Sequence, residues 1–321
     1  MHKLGIAIIV TGLVFVSVIF CAGTFADETT ARLGAGGLSF TKSEDIRMLQ
    51  EILQISRSQV DVKYRFMNES DQDIQTTVAF TLPPYHPFHS RSNEPDPADP
   101  WLVAGTFKVL VQGHPVSTQF SERKAMVGDR DVTAQLRELG LSDDQIFRTG
   151  DLAGDQWAAL AVLDGTNRGI LDWKVAETAF WQQSFPAGKE IVIEHQYTPF
   201  IRFRFYSAYY NGLDADPLMP PCLDEMTGRA FVNRIIKAYA KVVEHDPWVL
   251  TYVIEYVLGT GRNWKGPIGE FKLRIKKMAD EIMAPCFPGK FKEVSPTVYE
   301  FCKKDFVPPD KLVLYFYRVV L

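Results

Sequence analysis

Apolar and polar residues alternate strictly along Val60-Asp61-Val62-Lys63-Tyr64-Arg65-Phe66, the period of a strand with one buried face. The period returns after the turn composition Asn68-Glu69-Ser70-Asp71, with Ile74, Thr76, Val78, Phe80 and Leu82 in step, and Pro83-Pro84 ends it. Two such runs across a short polar turn predict an antiparallel hairpin over 59–83. Another is expected over 107–120, turning at Gln112-Gly113, and a third over 248–276 around Gly259-Thr260-Gly261. Residues 172–185 and 191–197 read as strands flanking the turn Pro186-Ala187-Gly188-Lys189, and 298–301 and 312–320 close the chain as strands. Helical spacing is confined to 131–141, with Asp131 as N-cap and Gly140 as stop, and to 224–241, with Phe231, Ile235, Ala238 and Tyr239 on one face.

Short alternating strands with sparse helices argue for a mainly β fold of two β-sandwich-like domains with a few short helices, and against a parallel α/β sheet. The turn-rich run Asn211-Gly212-Leu213-Asp214-Ala215-Asp216-Pro217 suggests the division: an N-terminal sandwich over 27–205 and a helix plus sandwich over 206–321.

The first residues change the picture. Lys3 precedes an uncharged apolar run over 4–20, and the small side chains Thr24 and Ala26 stand where signal peptidase needs them. Residues 1–26 are therefore expected to be a signal peptide cut after Ala26, with an uncleaved anchor as the competing reading. Bulky Phe20 before Cys21 argues against a lipoprotein. The 321 residues are 46% hydrophobic and 23% charged, which excludes a wholly disordered chain, a coiled coil, a collagen and a polytopic membrane protein. With 35 Lys+Arg against 39 Asp+Glu and no basic tract, the chain is a poor nucleic-acid binder. No membrane span is expected after cleavage.

Export to an oxidising compartment makes Cys222, Cys286 and Cys302 candidates for one bridge and a leftover. Cys222 after Pro220-Pro221 and Cys286 after Pro285 sit at element ends that suit a staple, and Cys286 with Cys302 is the alternative pairing. Cys302, in the β-type run Thr297-Val298-Tyr299-Glu300-Phe301-Cys302, is expected to be a small buried side chain.

Candidate chemistry is thin. His86 and His89, near Glu94, Asp96 and Asp99, are weak zinc candidates because imidazoles and carboxylates suit that ion, but no third ligand stands at a fixed spacing. His195 reads as a core or sheet-face histidine. The chain has no Gly-x-Ser-x-Gly, Walker loop or His-Glu-x-x-His, so no catalytic residue and no cofactor is assigned. Asn263 and Trp264, in Gly261-Arg262-Asn263-Trp264-Lys265-Gly266, are binding candidates because an indole offers a sugar a stacking face, but the favoured reading is a long hairpin connection in which Trp264 packs on the sandwich end. The aromatic run of Phe203, Phe205, Tyr206, Tyr209 and Tyr210 is expected to be a sheet face covered by the 224–241 helix, with a partner-binding patch as the alternative.

The stretches Gly36-Gly37-Leu38, Phe40-Thr41-Lys42-Ser43-Glu44-Asp45-Ile46, Val62 to Phe80, Phe185-Pro186-Ala187-Gly188, Cys222, Asn263-Trp264-Lys265-Gly266-Pro267-Ile268-Gly269 and Cys286 together resemble the bacterial family catalogued as domain of unknown function 4424. That resemblance implies an exported bacterial protein, periplasmic and Gram-negative, with no assigned activity. The family's recurring cysteine pair matches Cys222 and Cys286 and leaves Cys302 as an extra. Tyr64 to Asn68, Phe80-Thr81-Leu82-Pro83, Val111-Gln112-Gly113 and Ser121-Glu122-Arg123-Lys124-Ala125 are similar to the VIT domain, an interaction β-sandwich, although Thr81 departs from the proline usual there. The expectation is a periplasmic binding protein whose partner is an envelope protein or a glycan. Its alternatives are a metal-dependent envelope hydrolase using His86 and His89 and a carbohydrate-binding module using Trp264.

Overall fold

The structure, a computed structural model, describes residues 28–34, 37–87, 106–121, 123–128, 130–150, 152–156, 158, 160, 173–207, 218–240 and 248–320. The expected signal peptide, His89 with its neighbouring acids, the 211–217 break, Tyr209 and Tyr210 lie outside these residues. The chain begins with β1 (Glu28–Gly34), β2 (Gly37–Thr41), β3 (Ile46–Ile55), β4 (Val60–Asn68) and β5 (Ile74–Thr81). Next come β6 (Lys108–Val111), β7 (His114–Val116), β8 (Gln119–Phe120), β9 (Lys124–Val127), β10 (Arg130–Asp131) and α1 (Thr133–Glu138). Then follow β11 (Lys174–Ala176), β12 (Thr178–Phe185), β13 (Glu190–Tyr197), β14 (Arg202–Ser207) and α2 (Glu225–Ala240). The chain ends with β15 (Trp248–Val257), β16 (Ile268–Lys276), β17 (Glu281–Cys286), β18 (Lys292–Ser295), β19 (Val298–Phe306) and β20 (Lys311–Val320).

The fold is mainly β, with layered sheets. An eight-stranded sheet runs β18-β19-β16-β3-β4-β13-β6-β7. A five-stranded sheet, β2-β1-β5-β12-β8, and a four-stranded sheet, β14-β15-β20-β17, both pack on its inner face. Cross-sheet contacts fix that packing. Phe66 of β4 meets Phe185 of β12 at 5.9 Å, His195 of β13 meets Trp181 of β12 at 5.4 Å, and Tyr64 of β4 meets Tyr256 of β15. The alternation in β4 does what its period requires, since Val60, Val62, Tyr64 and Phe66 are all buried on one side. In β3 the register shifts between Met48 and Gln50, and this bulge returns Leu53 and Ile55 to the core behind Ile46 and Met48.

Two expected hairpins are instead arches between sheets. β4 is already paired on both edges, by β3 and β13, so β5 crosses to the five-stranded sheet and pairs with β1 and β12. The buried Asn68 holds the crossing, donating from Nδ2 to the carbonyls of Gln72 and Phe185, both at 2.8 Å. Likewise β15 lies in the four-stranded sheet and β16 in the eight-stranded one, joined by a 3-10 turn over Gly259–Asn263. The 107–120 hairpin forms between β6 and β7, after which β8 changes sheet. Asp131 does not cap α1, whose N-cap is Val132; its carboxylate instead accepts from the Thr133 N–H and hydroxyl at 3.0 and 2.6 Å.

The eight-stranded sheet also crosses the boundary expected after residue 205. β16 pairs in parallel with β3, and one core unites residues from both sides of that boundary. A smaller second core around α2 is made only of residues after 205, from Leu218 to Tyr317. Cys302 is exposed, not buried, because the alternation of β19 turns Phe301 inward and Cys302 out. Phe203 and Phe205 also differ from expectation. They lie on the opposite face of β14 from Tyr206 and remain exposed, Phe205 by 59%.

Candidate functional site

The four-stranded sheet has two faces with different fates. One carries Ile254, Tyr256, Leu312, Leu314 and Phe316 into the main core. The other carries Val249, Thr251, Val253 and Glu255 of β15, with Tyr315 and Tyr317 of β20 in the same phase. Helix α2 covers one end of this second face. Its Phe231, Val232 and Ile235 pack with Val249, Ala284 and Tyr317. Asp224 starts the helix by accepting from the Thr227 N–H at 2.9 Å and its hydroxyl at 2.7 Å.

The rest of the face is an open groove of about 640 Å³. Strand register builds it. Arg204, Thr251 and Tyr317 stand opposite one another on three neighbouring strands, and Arg202, Val253 and Tyr315 form the next row. Lys174 and Lys311 add cations, and Glu255 adds the lone carboxylate among the described residues of the lining. Glu255 is engaged by Arg202 and, at 4.0 Å, by Lys311. Among the described residues no carboxylate lies within 4.0 Å of Arg204 or Lys174. Thr251 is only 4% exposed, and among the described residues its hydroxyl has no hydrogen-bond partner. An unmade bond of this kind costs about 1–3 kcal/mol.

The phenols feel the same surroundings. Burial pushes Tyr317 well above its ordinary value, neighbouring Tyr315 and Tyr206 add to the rise, and Arg204 opposes it. Burial also raises Tyr315, with Arg202 and Arg204 pulling the other way and Glu255 adding to the rise. These phenols stay protonated at neutral pH and act as neutral donors or packing surfaces.

The Cys222–Cys286 disulfide forms one wall of the groove, with a Cα–Cα distance of 5.6 Å. It ties the segment before α2 to β17, so Met219, Pro221 and Cys222 close over the sheet.

The residues singled out by sequence lie elsewhere or at the edge. Trp264 is 1% exposed, its ring 4.4 Å from Phe66 and 6.0 Å from Phe185, so the indole packs in the core, as its structural reading expects, and offers a sugar no stacking face. Asn263 ends the 3-10 turn, away from the groove, where its carbonyl accepts from the Ser43 N–H at 2.7 Å. His86 is buried at the far end of the groove beside Lys174, Arg202 and Glu255, its Nδ1 3.2 Å from the Trp173 carbonyl oxygen. Among the described residues no three His, Cys, Asp or Glu side chains converge to hold a metal ion. His195 is buried in a box of rings from Tyr64, Phe80, Phe107 and Trp181. Sequence reading missed the groove's cations. The visible signal was Arg202-x-Arg204-x-Tyr206 alternating with Phe203 and Phe205, which sends charge to one face and aromatic rings to the other.

Among the described residues no helix is long and apolar enough to cross a membrane. No curated protein matches the chain. Among solved structures it is similar to a candidate nutrient-binding protein of Legionella pneumophila, with 15% identity, covering 92% of this chain and 70% of that one, at a TM-score of 0.46. It is also similar to an M1 zinc metallopeptidase of Deinococcus radiodurans, with 9% identity and a TM-score of 0.29, covering 86% of this chain but only 43% of the peptidase. The model of the domain of unknown function DUF4424 matches residues 26–314, and the chain belongs to that family.

Proposed function

We propose that this protein is exported across the cytoplasmic membrane and works in the periplasm as a binding protein of the cell envelope, holding its ligand in the groove on the four-stranded sheet. The observation that carries this reading is the set of unspent polar groups in the groove. Among the described residues, Thr251, with its buried hydroxyl lacking a partner, and two cations with no carboxylate within 4.0 Å line a space sized for a small ligand. Export is supported by the leader pattern of residues 1–26 and by the Cys222–Cys286 bridge, a bond that persists in oxidising compartments.

Two measurements on the full chain produced in a Gram-negative host test the two parts. Fractionation with N-terminal sequencing should find the protein in the periplasm, beginning at Asp27; an uncut, reduced cytoplasmic product would sink the export reading. Native mass spectrometry of the gently purified protein should show a retained small molecule that is lost from Thr251→Val. Its absence, together with silence in a broad small-molecule screen, would sink the binding reading.

A further inference from the structure

Among the described residues two further cavities hold charged side chains that are in part paired with one another. On the outer face of the eight-stranded sheet, a cavity of about 370 Å³ is lined by Lys63, paired with Glu194 at 2.9 Å, and by Asp61, which accepts from Gln54, Gln59 and Gln196. At the end of β3, a recess of about 340 Å³ is lined by Arg57, which pairs with Glu281 at 2.5 Å and lies 4.0 Å from the Tyr252 ring centroid. Lys276 and Lys277 also line that recess, so an excess of cations is common to both sites, and the groove on the four-stranded sheet is set apart by the buried Thr251 hydroxyl, which has no partner among the described residues. Four cations, Lys174, Arg202, Arg204 and Lys311, line it against the carboxylate of Glu255. After Glu255 has engaged Arg202 and Lys311, positive charge remains at Arg204 and Lys174.

We infer that the ligand of this groove is a small molecule carrying an oxyanion, a carboxylate or a phosphate ester, seated between Arg204 and the Thr251 hydroxyl. The inference rests on the groove being the binding site. Arg204 and Thr251 are direct cross-strand partners, and neighbouring strands lie about 4.8 Å apart, so one oxyanion group can meet both side chains. A guanidinium binds carboxylate and phosphate oxygens two at a time, and a hydroxyl donates a third bond. The oxyanion thus supplies the acceptor the buried hydroxyl lacks and the counter-charge Arg204 lacks. Lys174, at the groove's far end, draws anions in by its field, and Val253, Val313 and Tyr315 give the body of the ligand an apolar floor.

Isothermal titration of the full chain, with its disulfide intact, against matched pairs tests this. Glucose 6-phosphate is set against glucose, and succinate against succinamide, so each pair differs in its anionic groups and the two arms separate phosphate from carboxylate. At least one anion should bind while its neutral partner does not. Arg204→Gln should weaken that binding about tenfold or more, and Thr251→Val about fivefold. Lys292→Gln, an exposed cation on β18 outside the groove, should leave it unchanged. Raising salt from about 0.05 to about 0.5 M should also weaken it. If neutral and anionic members bind alike, the anion inference falls while the binding reading stands. If no anion binds at about 10 mM, the inference also falls, and the mass-spectrometric search for a retained molecule decides the binding reading by itself.

Discussion

Tyr64 and Tyr256, 192 positions apart in sequence, meet hydroxyl to hydroxyl at 3.2 Å inside the protein. Tyr64 belongs to β4 of the eight-stranded sheet and Tyr256 to β15 of the four-stranded one. The bond is one point of a seam that also includes the parallel pairing of β3 with β16. Cutting the chain at residue 205 would remove β16, leaving one edge of β3 unpaired, and would uncover the inner face of β4. A chain ending at 205 is therefore expected not to unfold cooperatively in urea, whereas the full chain should. Within that chain, the double-mutant cycle of Tyr64→Phe and Tyr256→Phe should show a coupling of about 0.5–1.5 kcal/mol by denaturant unfolding.

Gly269 enters β16 against the β3 bulge. A Cβ added there would lie 2.6 Å from the Leu49 carbonyl oxygen. Backbone on both sides cannot yield as a side-chain tip can. Gly269→Ala is expected to cost about 2 kcal/mol or more, through lost pairing between β3 and β16. At Gly154 the added carbon meets nothing within 4 Å, and Gly154→Ala should be neutral or slightly stabilising. Equal urea midpoints for the two variants would contradict this account.

The mainly β character was legible because a period of two marks a strand's buried face, and Val60 to Phe66 shows it plainly. The helix expected over 224–241 is close to the observed α2 for a similar reason: Phe231 and Ile235 are four apart and both buried. Pairing was not legible. Val78 and Phe80 alternate in phase with β4, yet they face it from another sheet, because alternation does not say which backbone edge is free. Trp264 packs in the core, as the favoured reading of its Gly-rich connection has it, although such a loop looks the same in sequence whether the ring points out or in. The groove was hidden because its lining comes from distant segments, with Lys174, Arg204, Thr251 and Tyr317 joined only by register.

The Cys222–Cys286 bridge closes a 64-residue separation. Chain-entropy reasoning gives such a loop about 4 kcal/mol of stabilisation. Cys222→Ser with Cys286→Ser is expected to lose about 2–4 kcal/mol and to abolish the effect of dithiothreitol on thermal unfolding. Cys302→Ser should keep that effect, since Cys302 is free and exposed. Because Cys222 and Cys286 wall the groove, the doubly substituted protein should also bind the groove ligand more weakly, a loss read by titration at a temperature where it remains folded.

Stability should fall in acid through identifiable carboxylates. At Glu300 burial pushes the carboxyl up, but the hydrogen bond from Arg274 at 2.7 Å and the charges of Lys272 and Arg274 outweigh it, leaving it below its ordinary value of 4.5. Glu69 is likewise lowered, chiefly by its hydrogen bond with Lys265, against the opposing effect of burial. A carboxyl lowered by folding stabilises fully above its unfolded value, and that contribution is lost as pH falls through the folded one. Glu300→Gln should therefore be less stable than the native protein at neutral pH, by about 0.5 kcal/mol for so partly exposed a pair, and the difference should shrink below pH about 4.5 and vanish in stronger acid. At the alkaline end the sign reverses in form. Burial raises Tyr317, so its contribution is present below the ordinary phenol value of 10.0 and declines as pH climbs above it. Urea midpoints measured from pH 3 to pH 11 on the native protein, Glu300→Gln and Tyr317→Phe check both limbs, and a Glu300→Gln difference that stayed constant into acid would show that the ion pair plays no part.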